Sequence, residues 1–164
     1  MPGVDITLKS LKDPFLFRLA DGRFGIAATR TDRGGAPDGS ERSAFLVAVS
    51  RDLTSFEQLG LVRLRTDSGV NRVSVAYQAA FDRYVISWIG DNGESYAAQT
   101  GNITAEAGSE DPLDVVREAQ PQELRYTGDC GIANAVPGNV IPISETEAKR
   151  LTERFGRCLL YTSP

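Results

Sequence analysis

Short apolar runs separated by polar turns fill the first two thirds of the chain. Residues 15–17 and 24–28 flank Ala20-Asp21-Gly22. Asp-Gly between two such runs predicts a hairpin, because both central residues of a type I′ turn take positive φ. Pro14 is expected at the start of the first strand, where a missing N–H costs least. Asp13 is then expected at the hairpin mouth, either as a turn cap or as a working carboxylate. The pattern recurs over residues 72–88, RVSVAYQAAFDRYVISW, with Arg83-Tyr84 in the place of Arg23-Phe24 sixty residues earlier. Ser50-Arg51-Asp52-Leu53-Thr54 recurs as Thr100-Gly101-Asn102-Ile103-Thr104, fifty residues on. The polar loop at 30–42 absorbs the ten-residue difference. A repeat of roughly fifty residues made of about four short strands predicts propeller blades.

Two units result, at about 11–64 and 71–118. In the first, strands are expected at 43–50 and 56–64 after the hairpin, with a short strand at 4–8 ahead of it. In the second they are expected at 73–77, 84–88, 95–100 and, more weakly, 113–117, with Asp91-Asn92-Gly93 as a tight turn. Residues 122–126 read as a further strand and 128–142 as a loop. Residues 144–155 read as a helix: Ser144 and Glu147 form a capping box, Ala148, Leu151 and Phe155 an apolar stripe, and Gly156 a C-cap. The bland role for this helix is packing against a sheet. The expected fold is mainly β: a partial propeller of about two four-stranded antiparallel blades plus a C-terminal helix, in one domain over 1–157.

Composition narrows the function more than the fold. The chain has 164 residues, 41% of them hydrophobic and 24% charged, enough for a core. A net charge of −4 with dispersed acids argues against nucleic acid and anionic membranes as partners. No run approaches the ~20 apolar residues of a membrane span. The N-terminus lacks the basic-then-apolar pattern of a signal peptide. With no histidine, a His-based triad and a His-ligated zinc site are excluded. Gly34-Gly35 and Gly138 are not followed by the Gly-Lys-Ser/Thr of a phosphate loop. Asp32, Asp38 and Glu41 crowd one loop without calcium-loop spacing. No metal and no cofactor are expected. Trp88 and Tyr84 alternate along one strand and read as packing rather than a sugar platform. The last seven residues, CLLYTSP at 158–164, match the in-frame translation of a transposase-type sequencing adaptor. They are expected to be a non-native tail on a truncated chain, leaving Cys130 as a lone thiol.

KDPFLF, then DGRFGIAAT, then Ser50-x-Asp52-Leu53-x-x-Phe56-x-x-x-Gly60 resembles the first blade of the five-bladed propellers of glycoside hydrolase family 43. The stretch ANAVPGNVIPISETEAKRLTERFG also looks like a segment seen in some multidomain bacterial members. The resemblance spans most of 11–157 and is sharpest in the first unit. It implies a glycosidase of the arabinofuranosidase, arabinanase or β-xylosidase type that acts with inversion. By position Asp13 matches the general base; the acid and the Asp that tunes it would lie in later blades, so the fragment alone is expected to be inactive. Arg72 takes the repeat position of Asp13, where the family carries a Trp-Ala-Pro-type motif and this chain reads Val70-Asn71-Arg72-Val73. Arg72 and Asn71 are the candidate substrate-binding residues, with an ordinary salt-bridged arginine, or a pair with Asp13, as the structural readings. The implied partners are a glycan and the missing blades, and the implied setting is extracellular or periplasmic. A non-catalytic propeller that binds carbohydrate or protein is the alternative, and a structural propeller domain the third reading.

Overall fold

The computed structural model describes residues 9–32, 34–36, 38–39, 41–117, 139 and 141–156. The chain is mainly β. Strands β1 (Lys9–Arg18), β2 (Phe24–Asp32), β3 (Ala44–Ser50) and β4 (Glu57–Arg63) form one antiparallel sheet in chain order. Strands β5 (Asn71–Gln78), β6 (Arg83–Ile89), β7 (Ser95–Thr100) and β8 (Val115–Arg117) form a second of the same kind. A one-turn helix α1 (Ile103–Glu106) lies between β7 and β8, and α2 (Glu145–Phe155) comes after both sheets. The expected strand at 4–8, the strand at 122–126, Cys130 and the tail 158–164 lie outside the described residues, as does most of the loop at 128–142.

Period-two alternation decides which faces meet. Phe17, Ala27, Phe45, Val47 and Val62 share one face of the first sheet, and Val73, Val75, Tyr84, Ile86 and Trp88 one face of the second. All ten are buried in a single cluster, with the Phe17 and Tyr84 rings edge to face at 6.5 Å. Repeat-equivalent residues do not meet each other. The counterparts of Phe17, Ala27 and Val47 are Ala76, Ser87 and Ala97, which lie on the far face of the second sheet. The sheets therefore pack head to tail, one unit's front on the next unit's back. Trp88 and Tyr84 are core residues, as their alternation predicted.

The outer edges also join. The Gly108 N–H donates to the Leu61 carbonyl at 2.9 Å, Leu113 N–H to Arg63, and Arg65 N–H to Leu113, so the segment leading into β8 caps the edge of β4. Gly60, at φ 147°, makes this approach possible, since a Cβ there would lie 2.9 Å from the Gly108 nitrogen.

Three local expectations need correction. The first hairpin is not a type I′ turn: Asp21 keeps a negative φ and only Gly22 is left-handed, at 84°. Gly22 N–H donates to Leu19 and Leu19 N–H to Arg23, which is a type I turn closed by a glycine bulge. The Asp91-Asn92-Gly93 turn repeats it, with Gly90, Gly93 and Glu94 in the matching roles. Pro14 stands inside β1, not at its start, where a register shift between Lys12 and Phe15 removes the need for its N–H. Asp13 accordingly sits on a mid-strand bulge rather than at the hairpin mouth. Leu53 and its counterpart Ile103 also part ways: Leu53 turns at φ 63°, whereas Ile103 opens α1 behind its cap Asn102 and is fully buried.

Candidate functional site

Both first strands break register at the same station. In β1 the shift falls between Lys12 and Phe15, and in β5 between Asn71 and Ser74. The residues on these bulges, Asp13 and Arg72, have φ of 51° and 49°. A bulge bends its strand and re-aims one side chain, and such bulges are over-represented beside active sites. Strands β1 and β5 lie side by side, each at an edge of its sheet. A carboxylate and a guanidinium thus occupy equivalent stations on neighbouring edge strands. Asp13 is partly and Arg72 largely exposed. Neither side chain has a hydrogen bond or ion pair among the described residues, and the two do not pair with each other.

Asn71, by contrast, is engaged. Its amide donates to Asp91 Oδ1 at 2.9 Å. Asp91 Oδ2 also accepts from both Arg42 Nε, at 3.0 Å, and an Arg42 terminal nitrogen, and from the Gly69 N–H at 3.2 Å. The Asp91 N–H donates to Ser68 Oγ. Bonds from Arg42, then Asn71, hold the Asp91 carboxyl below its ordinary range. A Cβ at Gly69 would run into the Asp91 carboxylate, which would have to shift within this network. This network ties the β4–β5 connection to the β6–β7 turn at the end where β5 begins. In the sequence Asp91 reads only as a turn residue; Asp-Asn-Gly carries no mark of the arginine that meets it from 49 residues away.

The crowded acids of the 30–42 loop are also accounted for. Asp32 accepts from Gly34 and Ala36, Asp38 pairs with Arg30 at 3.4 Å, and Glu41 pairs with Arg63. Among the described residues no acidic cluster has the makings of a metal site. The Ser50-x-Asp52 motif is a self-contained cap: Ser50 Oγ accepts from Asp52 and Leu53, and Asp52 Oδ1 from Thr54 and Ser55. Those backbone bonds lower the Asp52 pKa to about 2. These bonds make it a local turn cap.

A cleft of about 230 Å³ lies between residues 15–19 of β1 and its turn, residues 75–77 of β5, and Asn139 and Ile141. It is mainly apolar, and neither Asp13 nor Arg72 lines it. Two buried polar atoms, Thr29 Oγ1 and Trp88 Nε1, have no hydrogen-bond partner among the described residues. Thr29 stands opposite Lys12, beside the Asp13 bulge, and Trp88 stacks on Tyr96 with centroids 5.7 Å apart. No helix among the described residues is long and apolar enough to cross a membrane. Comparison with known proteins finds no matching family model and no matching curated protein.

Proposed function

We propose that the two sheets are consecutive blades of a five-bladed propeller, and that the completed protein hydrolyses arabinose- or xylose-containing glycans with inversion. The observation that supports this most is the pair of equivalent left-handed bulges presenting Asp13 and Arg72 on neighbouring edge strands. Head-to-tail packing adds to it, since a repeated heterologous contact closes into a ring or runs on as an open array. In this reading Asp13 takes a proton from water as the water oxygen bonds to the anomeric carbon. The glycosidic bond breaks, and a carboxylic acid from a later blade protonates the departing oxygen. Arg72 donates to sugar hydroxyls, and Asn71, its amide nitrogen held by Asp91, offers its oxygen as acceptor.

The test is turnover of aryl arabinofuranosides and aryl xylosides by the product of the complete gene and by its Asp13→Ala variant. General-base loss is expected to cost about 10²–10⁴-fold in kcat with the fold retained. Equal rates in a well-folded pair would remove Asp13 from the chemistry. The cation at the second station favours one further reading, a propeller that binds glycans without cleaving them. Saturable glycan binding without turnover by the complete wild-type protein, weakened by Arg72→Ala, would select it.

A further inference from the structure

We propose that Asn139 and residues 141–155 form a latch over the free edge of β1, clamped by Arg18, and that the latch guards that edge against pairing with a second copy of this chain. Among the described strands β1 pairs only with β2, so one side of a ten-residue strand is left without a ladder partner. Long open edges of this kind recruit other strands unless something covers them. Among the described residues the cover is one side-chain amide. The Leu16 N–H donates to Asn139 Oδ1 at 3.0 Å, and Asn139 Nδ2 donates back to the Leu16 carbonyl. Asn139 thus offers β1 the donor and acceptor that a neighbouring strand would.

Two residues along, Arg18 fastens the start of α2. Its guanidinium donates to both oxygens of Glu147, at 3.2 and 3.0 Å, and to the Pro142 carbonyl at 3.0 Å. It also donates to the Gly22 carbonyl and lies 3.8 Å from the centre of the Phe24 ring, which fixes it on the sheet. The Glu147 carboxylate is shared, because it also accepts from Ser144 N–H and Oγ in the capping box that starts α2. α2 has no fully buried residue, and Phe155 at its far end is 48% exposed. Among the described residues the bonds that hold the helix come from its first turn and the segment just before it. The latch thus bonds to β1 at Leu16 and at Arg18.

Two variants separate the parts. Glu147→Gln removes the charge pair but keeps a residue able to complete the capping box; Asn139→Ala removes the amide without touching α2. Amide hydrogen exchange at Leu16 is read by NMR, with Val47 as a core control, and association by sedimentation velocity. Both variants are expected to speed Leu16 exchange about tenfold, as losing one or two net hydrogen bonds predicts. Val47 is expected to be unchanged, and both variants to associate at lower concentrations than the wild type. Wild-type exchange at Leu16 in both variants overturns the latch. Faster exchange with no increase in association overturns its guarding role.

Discussion

Asp13 and Arg72 hold backbone angles that L-residues adopt reluctantly, at a cost of roughly 1–2 kcal/mol, with aspartate less penalised than arginine. Glycine is the usual solution, and the chain uses it at Gly22 and Gly93 in the two matching turns. Both bulges retain a charged side chain with no partner among the described residues, as the proposed role of Asp13 and Arg72 would require. The idea is testable without knowing the ligand. Arg72→Gly is expected to leave thermal stability unchanged or raise it by about 0.5–1 kcal/mol, while Arg72→Val lowers it. A glycine variant that is clearly less stable in urea or thermal unfolding would mean that Arg72 is structural. The two positions are legible as a repeat-equivalent pair in the sequence. The bulge is not, because Pro14 reads equally well as a strand start and nothing in Val70-Asn71-Arg72-Val73 marks a register shift.

At the scale of elements, strands are easier to read than the joints between them. All eight described strands are expected, and all but β1, which begins well before the expected start at Pro14, within a few residues, because alternating Val, Ile, Phe and Tyr between turn residues has one simple solution. The capping box of α2 forms as its sequence predicts, yet its stripe does not bury: Ala148 and Leu151 are half covered and Phe155 is open. An apolar stripe says which side of a helix prefers contact, not that a partner face is within reach. The joint at Gly60 leaves no legible trace either, since a glycine in a strand is equally a bulge or a weak point. Here it is a close approach between the two units. Gly60→Ala would set a methyl against the Gly108 backbone at a φ of 147°. Backbone cannot move aside as a flexible side chain does, so the expected loss is about 2–4 kcal/mol. Equilibrium urea unfolding measures it. A loss under about 0.5 kcal/mol, the range of neutral surface changes, would show that the edge junction yields easily.

For the whole molecule, the repeat implies more than similarity. At their shared seam its two copies present opposite faces, and the far face of the second sheet, with Ala76, Val85, Ser87 and Ala97, repeats the positions that the first sheet turns to the seam. In the propeller reading that face is the seat of the next blade. Within the described chain, the main apolar cluster holds residues from β1, β2, β3, β4, β5, β6 and β7 together with Ile103, so the two sheets share it, and the first sheet adds only a small cluster of Ala44, Leu46 and Leu61 on its other side. Each keeps its inner side dry only through the other, and the edge bonds of Gly108 and Leu113 tie them again at the rim. The two sheets are therefore expected to unfold in one step. Phe45→Ala tests this from the first sheet alone. The side chain is fully buried, and emptying such a site costs about 3–5 kcal/mol. If the core is shared, amide protection under native conditions falls by the same factor at Val47 in β3 and at Ile86 in β6, although Ile86 lies in the other sheet. Protection that falls at Val47 but stays at the wild-type level at Ile86 would mean that the second sheet stands alone, and the seam between the units would then be a contact rather than a core.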